Sequence, residues 1–148
     1  MSNMVFEVVG DLFLVVHRAA PPSDSEWSAY LATWKGIDMA RSRTLVFTDG
    51  GGPSTIQRKR ANDLLRGQES TTAVVTSSAL VRGIVVSLSW FNPKIRAFSP
   101  EEGVAAFRYL SVHEPDAIAG LWRKAEDLRE RLGDPGLRSI AAPRASVF

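Results

Sequence analysis

Short β-rich segments alternate with segments of helical periodicity between residues 5 and 112 of this chain. The first β-rich segment, residues 5–20, is interrupted by Gly10 and Asp11 and predicts a two-stranded hairpin. Three later β-rich segments, RTLVFTD, TTAVVT and KIRAFS, predict single strands. A predicted helix precedes each of them. Because helical crossovers join parallel strands, this order predicts an α/β fold with a mixed, mainly parallel sheet of about five strands, helices packed on it and a C-terminal helix. The hairpin would add an antiparallel edge strand.

The helices are predicted from apolar residues spaced three and four apart. In the first helix, Trp27, Tyr30 and Trp34 recur on one side, and Ser23 or Ser25 is available as the N-cap. The segment 78–91 is rich in β-branched residues, but its apolar positions follow a helical stripe, which favours a helix over a strand. That stripe consists of Leu80, Val81, Ile84, Val85, Leu88 and Phe91.

A length of 148 residues suits one domain with one core. We predict an α/β domain over residues 1–112, an amphipathic helix over residues 113–133 and a flexible tail over residues 134–148. No apolar run approaches the roughly 18 residues of a membrane span, so we expect no membrane insertion. The first residues lack the basic segment of a secretory signal, which predicts a cytoplasmic protein.

The composition excludes several kinds of site. The chain has no cysteine, which excludes disulfides, thiolate ligands and cysteine nucleophiles. Its two histidines, His17 and His113, have no neighbours at metal-ligand spacing, so we predict no metal, no cofactor and no catalytic residue, and expect both rings to be satisfied or solvated. A net charge of +2 with interleaved signs does not favour nucleic acid as a partner.

The sequence TDGGGPST, residues 48–55, ends a predicted strand and begins a basic helix. Free backbone N–H groups of glycines beside a positive helix end suit an anion, and nearby basic side chains would add charge. The same loop also has a structural explanation, because glycines form tight turns and Ser54 with Gln57 matches a capping box. Both interpretations stay open. The residues of this predicted ligand or partner loop are Asp49, Gly50, Gly51, Gly52, Ser54, Thr55, Arg58 and Lys59.

Trp90 and Phe91 end the segment 78–91, where an exposed position would make them an apolar patch for a protein partner and a buried position would make them core.

The C-terminal helix has apolar residues at the alternating three- and four-residue spacing of a heptad seam, with Trp122 beside it. The seam either packs on the domain or pairs with a second copy to form a homodimer. The seam residues are Ile118, Leu121, Ala125, Leu128 and Leu132, and those predicted to form an interaction surface are Leu121, Trp122 and Leu128.

The order of elements, together with the stretches FEVVGDLFLVVHRAAPPSDSEWSAYLATW and TLVFTDGGGPSTIQRK and the segment 73–112, resembles the STAS/SpoIIAA-like superfamily, and particularly the small bacterial SpoIIAA-like, STAS/CRAL-TRIO-like group. The resemblance covers residues 5–112. It implies the fold of the anti-sigma-factor antagonists, in which a serine of an Asp-Ser-Ser-Gly loop is phosphorylated. Asp49 matches the acidic position and Ser54 or Thr55 the hydroxyl, although the Asp-Ser-Ser-Gly spacing is absent here. The lipid-transfer branch of the fold would need a large apolar cavity, which the sequence does not indicate.

Two functions are predicted from these observations. The first is a non-enzymatic bacterial regulatory or scaffolding module of the STAS type, which acts through contacts with a protein partner or as a homo-oligomer. The alternative is a small-ligand sensor that binds a nucleotide or another anion at the Gly50–Gly52 loop.

Overall fold

A computed structural model describes residues 2–90 and 92–133 of the chain. In these residues, five strands form one mixed sheet in the order β1-β2-β3-β4-β5. The strands are β1 (Met4–Val9), β2 (Leu12–His17), β3 (Arg43–Phe47), β4 (Thr71–Val75) and β5 (Ile95–Phe98). The helices are α1 (Asp24–Ala32), α2 (Thr55–Leu65), α3 (Ala79–Ser89), α4 (Gly103–Tyr109) and α5 (Pro115–Leu132), with short 3₁₀ turns at Met39–Arg41 and Pro100–Glu102.

The pairing of the strands confirms the predicted fold class. β1 pairs with β2 antiparallel as an edge hairpin, whereas β2, β3, β4 and β5 pair in parallel. The segment 78–91 forms a helix over Ala79–Ser89, and β3 lies in the middle of the sheet. Each of β3, β4 and β5 is added on the same side of the strand before it, and each connection is a right-handed crossover. The connecting helices α1, α2 and α3 therefore lie on the same face of the sheet. The helices α4 and α5 cover the opposite face.

Side chains cap three of the helices, and the caps of α1 and α2 are those that the sequence predicted. The Ser23 side chain caps α1 and the Ser78 side chain caps α3, where each accepts a hydrogen bond from a backbone N–H of the first turn. At the start of α2, Ser54 and Gln57 form a reciprocal capping box, with distances of 3.2 Å from Gln57 N to Ser54 Oγ and 2.9 Å from Ser54 N to Gln57 Oε1. These caps fix where each helix begins after its strand.

The two faces of the sheet differ in how completely they are packed. On the face of α4 and α5, the alternate strand residues form one large buried cluster with the inward sides of those helices. On the other face, a smaller cluster joins Phe13 and Val15 to α1 and to Ala61 of α2. None of the described residues of α3 belongs to either cluster. The sheet is therefore closely covered on one face and incompletely covered beneath α3 on the other.

The C-terminal helix α5 packs on its own domain. Ile118, Trp122, Ala125, Leu128 and Leu132 are all buried in the larger cluster. This corrects the predicted interaction surface at two positions, because Trp122 and Leu128 are inside the chain's own core. Only Leu121 of the three predicted contact residues stays partly exposed. The predicted tail, residues 134–148, lies outside the described residues.

Candidate functional site

A cavity of about 360 Å³ lies between α3 and the sheet. Its floor consists of side chains that point to one face of four neighbouring strands, and its walls come from α1, from the loop before α2 and from α3. The floor residues are Val15, His17, Val46, Thr72, Val74 and Ile95, and the α3 residues are Val81, Ile84, Val85 and Leu88. The cavity has the size and the mostly apolar lining of a small-molecule site.

The cavity exists because α3 does not pack closely on the strands beneath it. Val85 is the buried residue of α3, at 5% exposure, whereas its neighbours Ile84 and Leu88 remain exposed. Helix α3 contacts mainly β5, at the edge of the sheet, and leaves the space above Val46 and Val74 unfilled. Since protein interiors are normally close-packed, an open apolar space of this size needs a physical explanation.

The polar groups of the cavity lie at one end. His17 ends β2, Thr48 follows β3, and the glycine loop continues from Thr48 to the start of α2. This end is the carboxyl edge of the parallel strands, where ligands of open α/β sheets usually bind. The rest of the lining is apolar, apart from Arg58, the aromatic residues Trp27 and Tyr30 with one polar atom each, and Thr72, whose hydroxyl donates to Ser70 O at 3.2 Å.

The glycine loop lies at this polar end and is held by Thr48. The Thr48 hydroxyl donates to Gly51 O at 2.6 Å and accepts from Gly50 N at 3.2 Å. Gly50 has a φ of +149°, which disfavours any residue with a side chain. All three glycines line the cavity, so the loop is both the predicted tight turn and part of a concave surface.

The loop and α2 are tied to α1 by buried hydrogen bonds. The Trp27 indole Nε1 donates to Gln57 O at 2.9 Å, and Gln57 Nε2 donates to Pro22 O at 2.7 Å. Gln57 therefore caps its own helix through one amide atom and joins the segment before α1 through the other. This arrangement fixes the wall of the cavity that contains the loop.

The predicted basic residues separate in the structure. Arg58 lines the cavity, and its guanidinium donates to Pro53 O and to Thr55 Oγ1, both at 3.2 Å. Lys59 instead points into solvent and pairs with Asp63 at 2.9 Å. Asp49 lies outside the lining and accepts hydrogen bonds from the Ser77 hydroxyl and backbone N–H, which joins the end of β3 to the segment before α3.

His17 is a member of this site that the sequence did not indicate. It was expected to be satisfied or solvated, but the ring is 4% exposed, and its Nδ1 has no hydrogen-bond partner in the described part of the chain. Burial lowers the pKa of His17 to about 4, and the nearby Glu26 carboxylate opposes that shift. The ring is therefore neutral at pH 7. The one available signal was its position two and four residues after Val15 and Phe13, which places all three on one face.

The outer side of α3 is apolar and exposed. Leu80 is 76% exposed and Trp90 is 78% exposed, and Val86 lies between them in sequence with more than half of its surface in solvent. The exposed alternative for Trp90 is therefore correct, while Phe91 lies outside the described residues. A helix that is apolar on all sides is normally covered on all sides.

Over residues 2–90 and 92–133, no group of three or more His, Asp or Glu side chains is arranged to hold a metal ion. Of the helices in this part of the chain, none combines the length and apolar character that crossing a bilayer requires.

The chain was compared with protein-family models, with curated proteins and with solved structures, and no significant match was found. The STAS/SpoIIAA-like resemblance therefore stays a prediction that rests on the order of the elements and on the sequence stretches quoted for it.

Proposed function

We propose that this protein is a small-ligand sensor, a binding module rather than an enzyme, which holds a compact and mostly apolar molecule between α3 and the sheet. The observation that supports this most directly is the unfilled cavity above Val46 and Val74. The sequence alternative placed an anionic ligand on the glycine loop, and the cavity extends that site from the loop into the apolar space beneath α3. Its volume equals that of roughly a dozen water molecules at about 30 Å³ each, which suits a ligand with a similar number of non-hydrogen atoms.

A nucleotide fits this space less well than an apolar ligand does. Its sugar and phosphates would bring many polar groups against a wall of valine, isoleucine and leucine, and each unpaired polar group would be costly. An extended hydrocarbon chain or a single aromatic ring would instead replace the missing packing of α3 on the sheet.

The proposal is tested with octan-1-ol and octanoate as probes in calorimetry and in thermal unfolding. We expect at least one probe to bind with a stoichiometry of one and to raise the melting temperature, because ligands that bind only the folded state stabilise it. Val85→Phe fills the cavity from α3 and should abolish this binding. Val86→Phe makes the same change on the exposed side of α3 and should leave binding intact.

If neither probe binds the unmodified protein, or if Val85→Phe binds both as well as the parent does, the cavity is not a ligand site. The circular dichroism spectrum of each variant shows whether it is folded.

The exposed apolar side of α3 supports a second candidate function, a regulatory or scaffolding module that acts through protein contacts. We propose a second copy of this chain as the occupant of this side. Arg82 is the one charged residue of α3, and its guanidinium donates to Thr76 O at 3.2 Å. A surface with so little charge does not repel its own copy, and a twofold axis brings the same patch of both copies together.

Light scattering at increasing protein concentration tests this second function. We expect dimers that Trp90→Glu together with Leu80→Glu convert to monomers, because a desolvated charge is costly. Leu121→Glu, on the partly exposed side of α5, is the control and should not change the mass. A parent protein that has the mass of one chain at about 100 μM, where weak pairs of small interfaces would still form, contradicts the dimer.

A further inference from the structure

The cavity contains an imbalance of charge that specifies its ligand more closely, provided that it is a ligand site as proposed above. Among the described residues that line it, Arg58 alone has a full charge at pH 7, and no aspartate or glutamate is included. His17 is neutral there because burial lowers the pKa of its ring to about 4. The electrostatic preference of the site is therefore for one negative charge.

His17 provides an independent observation at the same end of the cavity. Its Nδ1 makes no hydrogen bond to any other described residue, and the ring is almost completely buried. A neutral imidazole has one N–H donor and one acceptor, and leaving such groups unpaired inside a protein is costly. A ligand carboxylate that reaches the ring through the cavity would select the tautomer whose N–H faces it.

The Arg58 guanidinium has N–H groups that can still donate to a ligand. Its bonds to Pro53 O and Thr55 Oγ1 use two of the five N–H groups of a guanidinium. Both of those acceptors are uncharged, so they do not neutralise the cation. A guanidinium binds a carboxylate through paired hydrogen bonds that are stronger than those between neutral groups.

The glycine loop falls between His17 and Arg58 in the sequence, and it forms part of the wall of the same cavity. A Cβ atom added to residue 52 would meet nothing within 4 Å, so the backbone at Gly52 faces open space. The loop leads directly into α2, whose positive end favours an anion. The loop, the buried ring and the guanidinium thus lie together at the carboxyl edge, while the opposite part of the cavity is apolar.

We infer that the ligand is a small monocarboxylate with an apolar tail, whose carboxylate lies among His17, Arg58 and the Gly50–Gly52 loop and whose tail extends beneath α3 over Val46 and Val74. A single carboxylate matches the single cation of the wall, whereas a phosphate monoester would bring close to two negative charges against one. The cavity volume limits the tail to about eight carbons or one small ring system, by the same estimate of about 30 Å³ for each non-hydrogen atom.

The matched probes octanoate and octan-1-ol distinguish the contribution of the carboxylate to binding from that of the tail, since they differ only in the polar end. Calorimetry at pH 7 should show octanoate binding at least about tenfold more tightly than octan-1-ol, which corresponds to about 1.4 kcal/mol. Arg58→Leu should remove most of that difference, because it should weaken the binding of octanoate and leave the affinity for octan-1-ol unchanged. His17→Leu should also weaken octanoate selectively.

Lys59→Leu is the matched control for Arg58→Leu, because it removes one positive charge from the adjacent residue, which points to Asp63 rather than into the cavity. It should leave both affinities within about twofold, a change of roughly 0.4 kcal/mol. Octyl phosphate is a third probe and should bind more weakly than octanoate.

The possible results distinguish this inference from the function on which it rests. If both probes bind with equal affinity and Arg58→Leu changes neither, the cavity is a ligand site but the carboxylate is wrong. If octyl phosphate binds more tightly than octanoate, the site prefers a different anion and the inference is also wrong. If no probe binds, the proposed function itself fails.

Discussion

The α-carbon of Gly51 lies directly against the backbone carbonyl of Arg18, so that a Cβ atom on residue 51 would be 1.5 Å from the Arg18 oxygen. This contact joins the loop after β3 to the chain that leaves β2. It explains one glycine of the loop by steric necessity, whereas Gly50 is explained by its positive φ. Two of the three consecutive glycines therefore have separate steric explanations.

Gly51→Ala should destabilise the protein by about 3 kcal/mol or more, because a backbone segment has to move before a methyl group fits. Gly52→Ala is the control, since nothing lies within 4 Å of its added Cβ. We expect that variant to stay within about 0.5 kcal/mol of the parent. Urea unfolding measures both, and equal losses in the two variants would contradict the steric explanation.

His17 should make the protein less stable as the pH falls from 6.5 to 4. The folded pKa is about 4, below the ordinary value of 6.5, so the unfolded chain binds more protons in this window and acid favours unfolding. The free energy of unfolding should fall by about 3 kcal/mol across the window through this ring alone. His17→Leu should remove that part of the pH dependence.

His113 provides the control for the pH experiment, because its ring is exposed in the loop before α5. His113→Leu should retain the pH dependence of the parent. Urea unfolding at several pH values from 4 to 7 measures all three proteins, and a His17→Leu curve parallel to the parent's would show that the buried ring does not cause the loss.

The contact between Gly103 and the Trp122 ring leaves no space for a side chain at residue 103. A Cβ on residue 103 would be 2.2 Å from the Trp122 ring, which is itself packed against Phe47 and Phe107 at centroid distances of 5.8 and 5.5 Å. We expect Gly103→Ala to cost about 2 kcal/mol through overpacking, although alanine favours a helix. Gly120→Ala, in open space on α5, should instead stabilise by about 0.5–1 kcal/mol. Thermal unfolding should shift in opposite directions for the two variants.

Leu128 and Leu121 should differ in their contribution to stability although they are one heptad apart. Leu128 is fully buried, so Leu128→Ala should cost about 2–5 kcal/mol. Leu121 is only partly buried, and Leu121→Ala should cost about 1 kcal/mol by the smaller apolar area involved. If the two variants lost the same free energy of unfolding, Leu128 would not be buried more deeply than Leu121.

The sequence was sufficient to predict the elements and their order. The stripe through Val81, Val85 and Leu88 correctly distinguished a helix from a strand in the segment 78–91, because a 3.6-residue period is a property of the sequence alone. Caps such as Ser54 with Gln57 were also predictable, since they depend on residues within one turn. The order of these elements then limited the sheet to a mainly parallel arrangement.

The packing of the helices was not predictable in the same way. A seam at heptad spacing looks the same whether Leu128 faces its own sheet or a second chain, because only the identity of the facing surface differs. The stripe on α3 likewise predicts a helix without showing that most of it stays exposed. The cavity depends on that spacing between α3 and the strands, which no local pattern specifies.

Gly83 illustrates the same limit within a single helix. Glycine inside a helix costs about 1 kcal/mol relative to alanine, yet a Cβ added to Gly83 would meet nothing within 4 Å. The structure therefore gives no steric reason for this glycine.

Helix α5 lies across β1 and β2, the first two strands of the chain, and the Arg18 guanidinium hydrogen-bonds to the carbonyl of Leu132. Lys124 adds a contact to Glu7 at 3.5 Å. The neighbouring strands can pair as they are made, since each is close in sequence to the next, but the larger core needs residues more than a hundred positions apart. During synthesis, the face of the sheet that α5 covers stays open to water until α5 has left the ribosome, and the nascent domain is vulnerable to aggregation until that helix closes the larger core.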